Sequence, residues 1–241
     1  MPPLILAHRG AHEGVPENTL LAFQRAMQVG ADGIECDVRL SEDGELVVIH
    51  DETLERLVPG GDRRLVAKVS ATELGRLDLG HGAPVPTLRE VFRWAESARA
   101  WVNVELKTDG AFGHRLVGRL VRLCRELPNH QLPDRLLFSS FSWNAVALAS
   151  RSHLPGPVGW LLGSDNRLGR SSRLWKWLGA QGVHPSCAIA TERRISAWRS
   201  MGAMVNVWTV NDDASARQLA HWGVDSIITD VPAQIRHAVD R

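Results

Sequence analysis

Gly33-Ile34-Glu35-Cys36-Asp37-Val38-Arg39-Leu40, then Ser41-Glu42-Asp43-Gly44-Glu45, then Leu46-Val47-Val48-Ile49-His50 is the stretch on which the reading of this chain turns. Both flanks read as strands, and Asp-Gly between apolar runs is the strongest short hairpin signal. With Asp43 and Gly44 as the loop, Glu42 faces Glu45 and Asp37 falls opposite His50. Side chains alternate along a strand, so Glu35 and Asp37 share one face. His50 joins them there. An ordinary solvated hairpin face gains little from gathering two carboxylates and a histidine.

Outward from the hairpin, strand-like and helix-like segments alternate to the end. Leu4 to His8 is a short strand, and Thr19 to Val29 is helical with Leu20, Phe23, Ala26 and Met27 near one face. Residues 51–86 are irregular, rich in glycine and charge, with a short helix near Ala71 to Leu77. Thr87 caps a helix over Leu88 to Ala98, with Glu90 as its capping-box partner. Further strands are expected over 101–106, 136–140, 158–162, 182–184, 204–210 and 226–229. Helices are expected near 114–126, 143–152, 172–179, 191–201, 213–222 and 231–239. Apart from the hairpin return this makes eight strands, each followed by a helix. Alternating βα units mean a parallel sheet, and eight of them point to a closed (β/α)8 TIM barrel spanning 1–241 as a single domain. The hairpin is then an extension after strand two, and residues 51–86 a small insertion. An open doubly wound sheet is the alternative.

Composition narrows the function. The 241 residues carry a formal net charge of +1, so no global field draws the chain to nucleic acid or anionic lipid. No apolar run is long enough to span a membrane, which excludes stable membrane insertion. Cys36, Cys124 and Cys187 are odd in number and far apart, with neither zinc nor redox spacing. Alternation turns Cys36 to the face opposite Glu35 and Asp37. The first residues show no charged n-region, so a cytoplasmic, reducing location is expected.

In a barrel, functional groups sit at the C-terminal ends of the strands. There lie His8 and Arg9, Glu35 and Asp37, Glu105 and Lys107, Ser139-Ser140-Phe141, Trp208 and Thr229-Asp230. Three carboxylates, Glu35, Asp37 and Glu105, repel one another unless a cation joins them. A hard divalent ion, Mg²⁺ or Ca²⁺, is the natural partner, and a simple Glu105–Lys107 ion pair is the competing reading. His8 and His50 border the acids and suit general acid and base work. Arg9 and Lys107 add positive charge suited to phosphate oxygens. Together these groups read as phosphoryl transfer. Trp208 either lines the substrate pocket or packs in the barrel core.

The ordered set His8-Arg9-Gly10, Pro16-Glu17-Asn18-Thr19, Gly30-Ala31-Asp32, Ile34-Glu35-Cys36-Asp37-Val38, Val47-Val48-Ile49-His50-Asp51, Leu54-Glu55-Arg56, Pro86-Thr87-Leu88, Val104-Glu105-Leu106-Lys107, Trp208-Thr209-Val210-Asn211 and Ile228-Thr229-Asp230 resembles the glycerophosphodiester phosphodiesterase family. The resemblance runs over nearly the whole chain and is closest to short cytosolic members. It implies a (β/α)8 barrel that hydrolyses glycerophosphodiesters, small-molecule substrates, to sn-glycerol 3-phosphate and an alcohol. It implies metal ligands at Glu35, Asp37 and Glu105, acid/base histidines at His8 and His50, and phosphate-holding Arg9 and Lys107. Glu17 is implied as a supporting residue. One further expectation concerns Arg167 to Leu178, where basic residues interleave with Trp175 and Trp177 as in an interfacial helix. That pattern allows a lysophospholipid as the substrate at a membrane surface, against an ordinary basic surface helix. The leaving group and the oligomeric state stay open.

Overall fold

The computed structural model describes residues 2–58, 60–108, 113–126, 132–165 and 173–240. In chain order the strands are β1 (Leu4–His8), β2 (Gly33–Leu40), β3 (Leu46–Val48), β4 (Trp101–Leu106), β5 (Leu136–Ser140), β6 (Val158–Leu162), β7 (Gly182–Pro185), β8 (Met204–Val207) and β9 (Ser226–Thr229). The helices are α1 (Leu20–Gln28), α2 (Ala71–Leu74), α3 (Leu88–Ala98), α4 (Gly113–Arg125), α5 (Trp143–Ser150), α6 (Leu174–Leu178), α7 (Glu192–Ser200), α8 (Asp213–His221) and α9 (Pro232–Val239). Neighbouring strands run β1-β9-β8-β7-β6-β5-β4-β2, and β2 returns to β1. All of those pairings are parallel, so the ring is a closed (β/α)8 barrel and the open sheet is excluded. Among the described strands β3 is antiparallel, paired with β2, and Val47 adds an antiparallel bridge to Thr87.

Local chemistry places the helices. Thr19 Oγ1 accepts from the Ala22 N–H (3.2 Å) at the start of α1. At α3 the capping box is complete, with Glu90 N–H donating to Thr87 Oγ1 and Thr87 N–H donating to Glu90 Oε2. Alternation then sorts the strands. Ile5, Ala7, Ile34, Cys36, Val38, Val102 and Val104 face outward and pack with Phe23, Phe92 and Leu116 of the helices. Cys36 thus lies where its spacing predicts. Leu6, Leu137 and Ile228 form a separate apolar layer, with Leu4, Trp101 and Met204 beside them. The acids on β2 and β4 lie further along the strands, toward their C-terminal ends.

The hairpin forms, but in a different register. Val38 pairs with Val48, Arg39 with Val47 and Leu40 with Leu46, and Ile49 N–H donates to the Asp37 carbonyl (2.8 Å). His50 therefore does not stand opposite Asp37. The loop holds three residues rather than two, closed by Ser41 N–H to Glu45 O (3.0 Å), with Gly44 at φ 77°. A three-residue loop ending in a left-handed glycine suits the strand twist, and Ser41 Oγ adds a bond from Glu45 N–H (2.9 Å). A one-residue slip would send a continued strand's side chains to the opposite face. Here β3 ends at Val48 and the chain bends at His50, so the ring still lies within the field of Asp37. On the other face of the hairpin, Val47 and Ile49 join Leu54, Val66, Val69, Leu74, Leu79 and Val85 in a small core belonging to the insertion.

Candidate active site

Register assembles the acids. Asp37 on β2 pairs with Glu105 on β4, and His8 on β1 pairs with Glu35. Glu35, Asp37 and Glu105 are all buried, and each offers an oxygen within 4.8 Å of the others. Burial, then the neighbouring carboxylates, push Glu35 well above the usual carboxylate range and raise Glu105 as well. Burial would also raise Asp37, but Lys107, Arg9 and His50, with a hydrogen bond from Asn18, hold it below its ordinary value. Glu35 Oε1 is buried without a hydrogen-bond partner. Three carboxylates against Arg9 and Lys107 leave one net negative charge. An orphaned buried oxygen, an all-oxygen donor set and an uncompensated charge fit a hard divalent cation.

The competing Glu105–Lys107 ion pair is present as well. Lys107 Nζ lies 2.5 Å from Glu105 Oε1 and 3.0 Å from Asp37 Oδ1, so it spans two of the three acids. Arg9 Nε is 3.3 Å from Asp37 Oδ2, and the Arg9 backbone N–H donates to Glu35 Oε2 (3.2 Å). Arg9 holds a left-handed φ of 57°, followed by Gly10 at φ 86°. A Cβ on Gly10 would lie 2.7 Å from Ala22 Cβ, so α1 seats directly on this turn. Asn18, at φ 56°, donates from Nδ2 to Asp37 Oδ2 (2.9 Å) and accepts from the Asp37 N–H (3.2 Å).

Each histidine is held by its own carboxylate. His8 Nδ1 donates to Asp230 Oδ1 (2.7 Å), and His50 Nδ1 donates to Asp51 Oδ1 (2.7 Å). A carboxylate acceptor requires the proton on Nδ1, which leaves Nε2 for a substrate. His8 Nε2 lies 3.9 Å from Glu35 Oε2. Burial lowers the His50 pKa, against the opposing pull of Asp37 and Asp51. His12 Nε2 also reaches Asp230 Oδ1 (3.4 Å), and Asn211 Nδ2 donates to Asp230 Oδ2 (2.7 Å). Glu17 accepts from Arg9 Nη1 (3.0 Å) and takes the Arg56 guanidinium on both oxygens. Arg56 also donates to both oxygens of Asp51.

Sequence reading gave no role to Asn18, Asp51, Arg56, His12 or Asp230. All but His12 stand inside the quoted motifs, so the signal was a polar residue beside a candidate. Nothing local said which histidine each carboxylate would meet.

Trp208 is half-buried, donates Nε1–H to the His184 carbonyl (2.7 Å) and meets Phe141 edge-on at 5.3 Å. It packs against the inner apolar layer of the barrel. The basic, tryptophan-bearing segment fares differently. Arg167 to Ser172 lie outside the described residues. Trp175 is 4% exposed and belongs to the core, while Trp177 is 81% exposed. Arg151 caps the carbonyls of Trp177 and Leu178, and Gln181 N–H meets the carbonyl of Val158, the first residue of β6. That end of the segment lies at the N-terminal end of the barrel, away from the acids. Of the two tryptophans in the interfacial pattern, only Trp177 is on the surface, because Trp175 is buried in the core. No described helix is long and apolar enough to cross a membrane.

A closed parallel barrel with buried acids, cations and carboxylate-held histidines at the C-terminal ends of its strands defines a barrel enzyme with a candidate metal centre. Comparison with known proteins is more specific. The chain belongs to the glycerophosphoryl diester phosphodiesterase family, whose model matches residues 8–234. It is 32% identical to a glycerophosphodiester phosphodiesterase of Caldanaerobacter subterraneus subsp. tengcongensis, over 99% of this chain and 98% of that one. It is 46% identical over 232 residues to the probable glycerophosphodiester phosphodiesterase 1 of Mycobacterium tuberculosis, covering 87% of this chain and 82% of that one. Among solved structures it superposes on an Oleispira antarctica phosphodiesterase in complex with the product sn-glycerol-3-phosphate, with TM-score 0.88, 29% identity, and coverage of 100% of this chain and 98% of that one.

Proposed function

We propose that this chain hydrolyses glycerophosphodiesters to sn-glycerol 3-phosphate and an alcohol in a metal-dependent reaction. The observation that carries the reading is the meeting, at one end of the barrel, of three buried carboxylates with two histidines whose Nδ1 atoms are already occupied. Family membership supports it. Glu35, Asp37 and Glu105 would hold Mg²⁺ or Ca²⁺. A hard divalent cation supplies charge neutralisation at the phosphate oxygens. Arg9 and Lys107 bind the remaining phosphate oxygens, Arg9 as a fork and Lys107 as a point charge. With Nδ1 held by a carboxylate, His8 and His50 each keep Nε2 for proton transfer. One ring accepts the proton of the attacking oxygen and the other donates a proton to the departing alcohol. Asp230 and Asp51 fix tautomer and ring direction throughout. Glu17 braces Arg9, and Trp208 lines the glycerol side of the pocket. Three unpaired cysteines among the described residues support a reducing, cytoplasmic setting.

The test is release of glycerol 3-phosphate from glycerophosphocholine, read by a coupled dehydrogenase after chelation and again after addition of Mg²⁺ or Ca²⁺. Turnover should return with the ion, and His8→Ala and His50→Ala should each lose roughly 10²–10⁴-fold. Full activity in chelator, or a loss under tenfold in both variants, would overturn the reading.

A further inference from the structure

We propose that Arg56, outside the barrel ring and on the insertion, is a positioning residue that sets Arg9 and His50 in one common geometry; this rests on the phosphodiesterase reading above. All three guanidinium nitrogens are used. Nη1 donates to Glu17 Oε2 (3.0 Å) and Nη2 to Glu17 Oε1 (2.7 Å), while Nε donates to Asp51 Oδ2 (2.6 Å) and Nη2 also to Asp51 Oδ1 (3.1 Å). Each carboxylate continues to a group at the centre of the site. Glu17 Oε1 receives Arg9 Nη1 (3.0 Å), and Asp51 Oδ1 receives His50 Nδ1 (2.7 Å). An unbroken chain of charge-assisted hydrogen bonds therefore runs Arg9–Glu17–Arg56–Asp51–His50.

Its members come from separate parts of the fold. Arg9 and Glu17 belong to the connection after β1, His50 and Asp51 to the end of the hairpin, and Arg56 to the insertion. Arg56 joins the first pair to the second. Its own backbone is anchored two residues earlier by Leu54, fully buried in the insertion core with Val47 and Ile49. The planar fork matters, because one guanidinium presents fixed donors to two carboxylates at once, whereas an ammonium is a point charge that cannot hold both in register. The insertion is therefore more than a surface ornament. It reaches back into the site through this one side chain and couples the phosphate-holding arm to the proton-transfer arm. Nearby Arg63 makes a useful contrast, since it donates from Nε to the exposed Glu55 (3.0 Å), away from the site.

The experiment compares the full-length, metal-loaded wild type with Arg56→Ala, Arg56→Lys, Asp51→Asn, the Arg56→Ala/Asp51→Asn double variant and Arg63→Ala. Steady-state kinetics on glycerophosphocholine are read beside metal affinity from thermal shift. Arg56→Ala should lower kcat about tenfold or more and raise KM several-fold, with metal affinity within about twofold because no ligand is touched. Arg56→Lys should recover only a minor part. The double variant should lose little beyond the worse single, since both cut the same chain. Arg63→Ala should match wild type. An active wild type whose Arg56→Ala stays within threefold in both constants overturns the inference alone. So do losses that multiply in the double variant, or a collapse of metal affinity. If Arg56→Ala melts below the assay temperature, Arg56→Lys decides, and parity with wild type overturns the proposal. A wild type without metal-dependent turnover overturns the activity reading itself, and the inference with it.

Discussion

Glu35→Gln should uncouple folding from metal. Glu35 is buried, its pKa is raised by burial and by Asp37 and Glu105, and its Oε1 has no hydrogen-bond partner. In metal-free protein this charge opposes folding, so the neutral isostere should melt at or above the wild-type temperature. The amide oxygen can still accept from the Arg9 N–H, and the amide nitrogen faces carboxylates that can accept from it. With metal the order reverses. A cation at about 100 times its Kd stabilises the folded state by about 2.7 kcal/mol. For a chain of 241 residues, 1 kcal/mol moves Tm by about 2–4 °C, so wild type should gain about 5–11 °C. The variant lacks one of three ligands and should gain a small fraction of that. The assay is a thermal melt of both proteins in chelator, then in a titration of Mg²⁺ and of Ca²⁺. A wild-type Tm that ignores both ions, or a variant that keeps the full shift, would refute the assignment of this cluster as a metal centre.

Asp230→Asn should lower kcat about 10–100-fold with KM nearly unchanged, because the His8 ring loses its carboxylate acceptor on Nδ1; a larger change in KM than in kcat would argue against it. Acid should destabilise the fold through His184, which is fully buried on β7 and whose pKa burial pushes down to about 3. The folded ring stays neutral while the unfolded ring takes a proton below about pH 6.5, so the unfolded state binds more protons and stability falls as pH drops from about 6.5 toward 3, by at most about 1.4 kcal/mol per pH unit from this group. Urea midpoints across that range should fall less steeply in His184→Gln, and equal slopes would count against the assignment. Gly10→Ala should cost about 1–3 kcal/mol, from a Cβ placed 2.7 Å from Ala22 Cβ at a left-handed φ, and should also depress turnover by shifting Arg9; unchanged urea unfolding and activity would contradict that packing.

Much of this protein is settled by forces that act between near neighbours along the chain. Alternation put Glu35 and Asp37 on one face and Cys36 on the other, because a strand's period is two whatever surrounds it. Thr87 and Glu90 declared the start of α3 through a capping box closed within four residues. Alternating strand and helix patterns implied the barrel, and the barrel placed the polar residues at one end. The hairpin was legible from Asp-Gly, yet its register was not. Ser41 and a left-handed Gly44 favour a three-residue loop, and the pattern of apolar residues tolerates either choice.

Contacts across long separations belong to the tertiary structure alone. His8 meets Asp230 over 222 positions because closing the barrel sets β9 beside β1, and no local preference encodes that. Arg56 meets Glu17 over 39 positions only because the insertion core seats its backbone above the site. Trp175 stands in a pattern of basic residues and tryptophans that reads as interfacial, and the core claimed it. Residue types and short spacings determine which elements form and which way their faces point. Which carboxylate holds which histidine depends on chain closure, where one geometry must satisfy every strand at once.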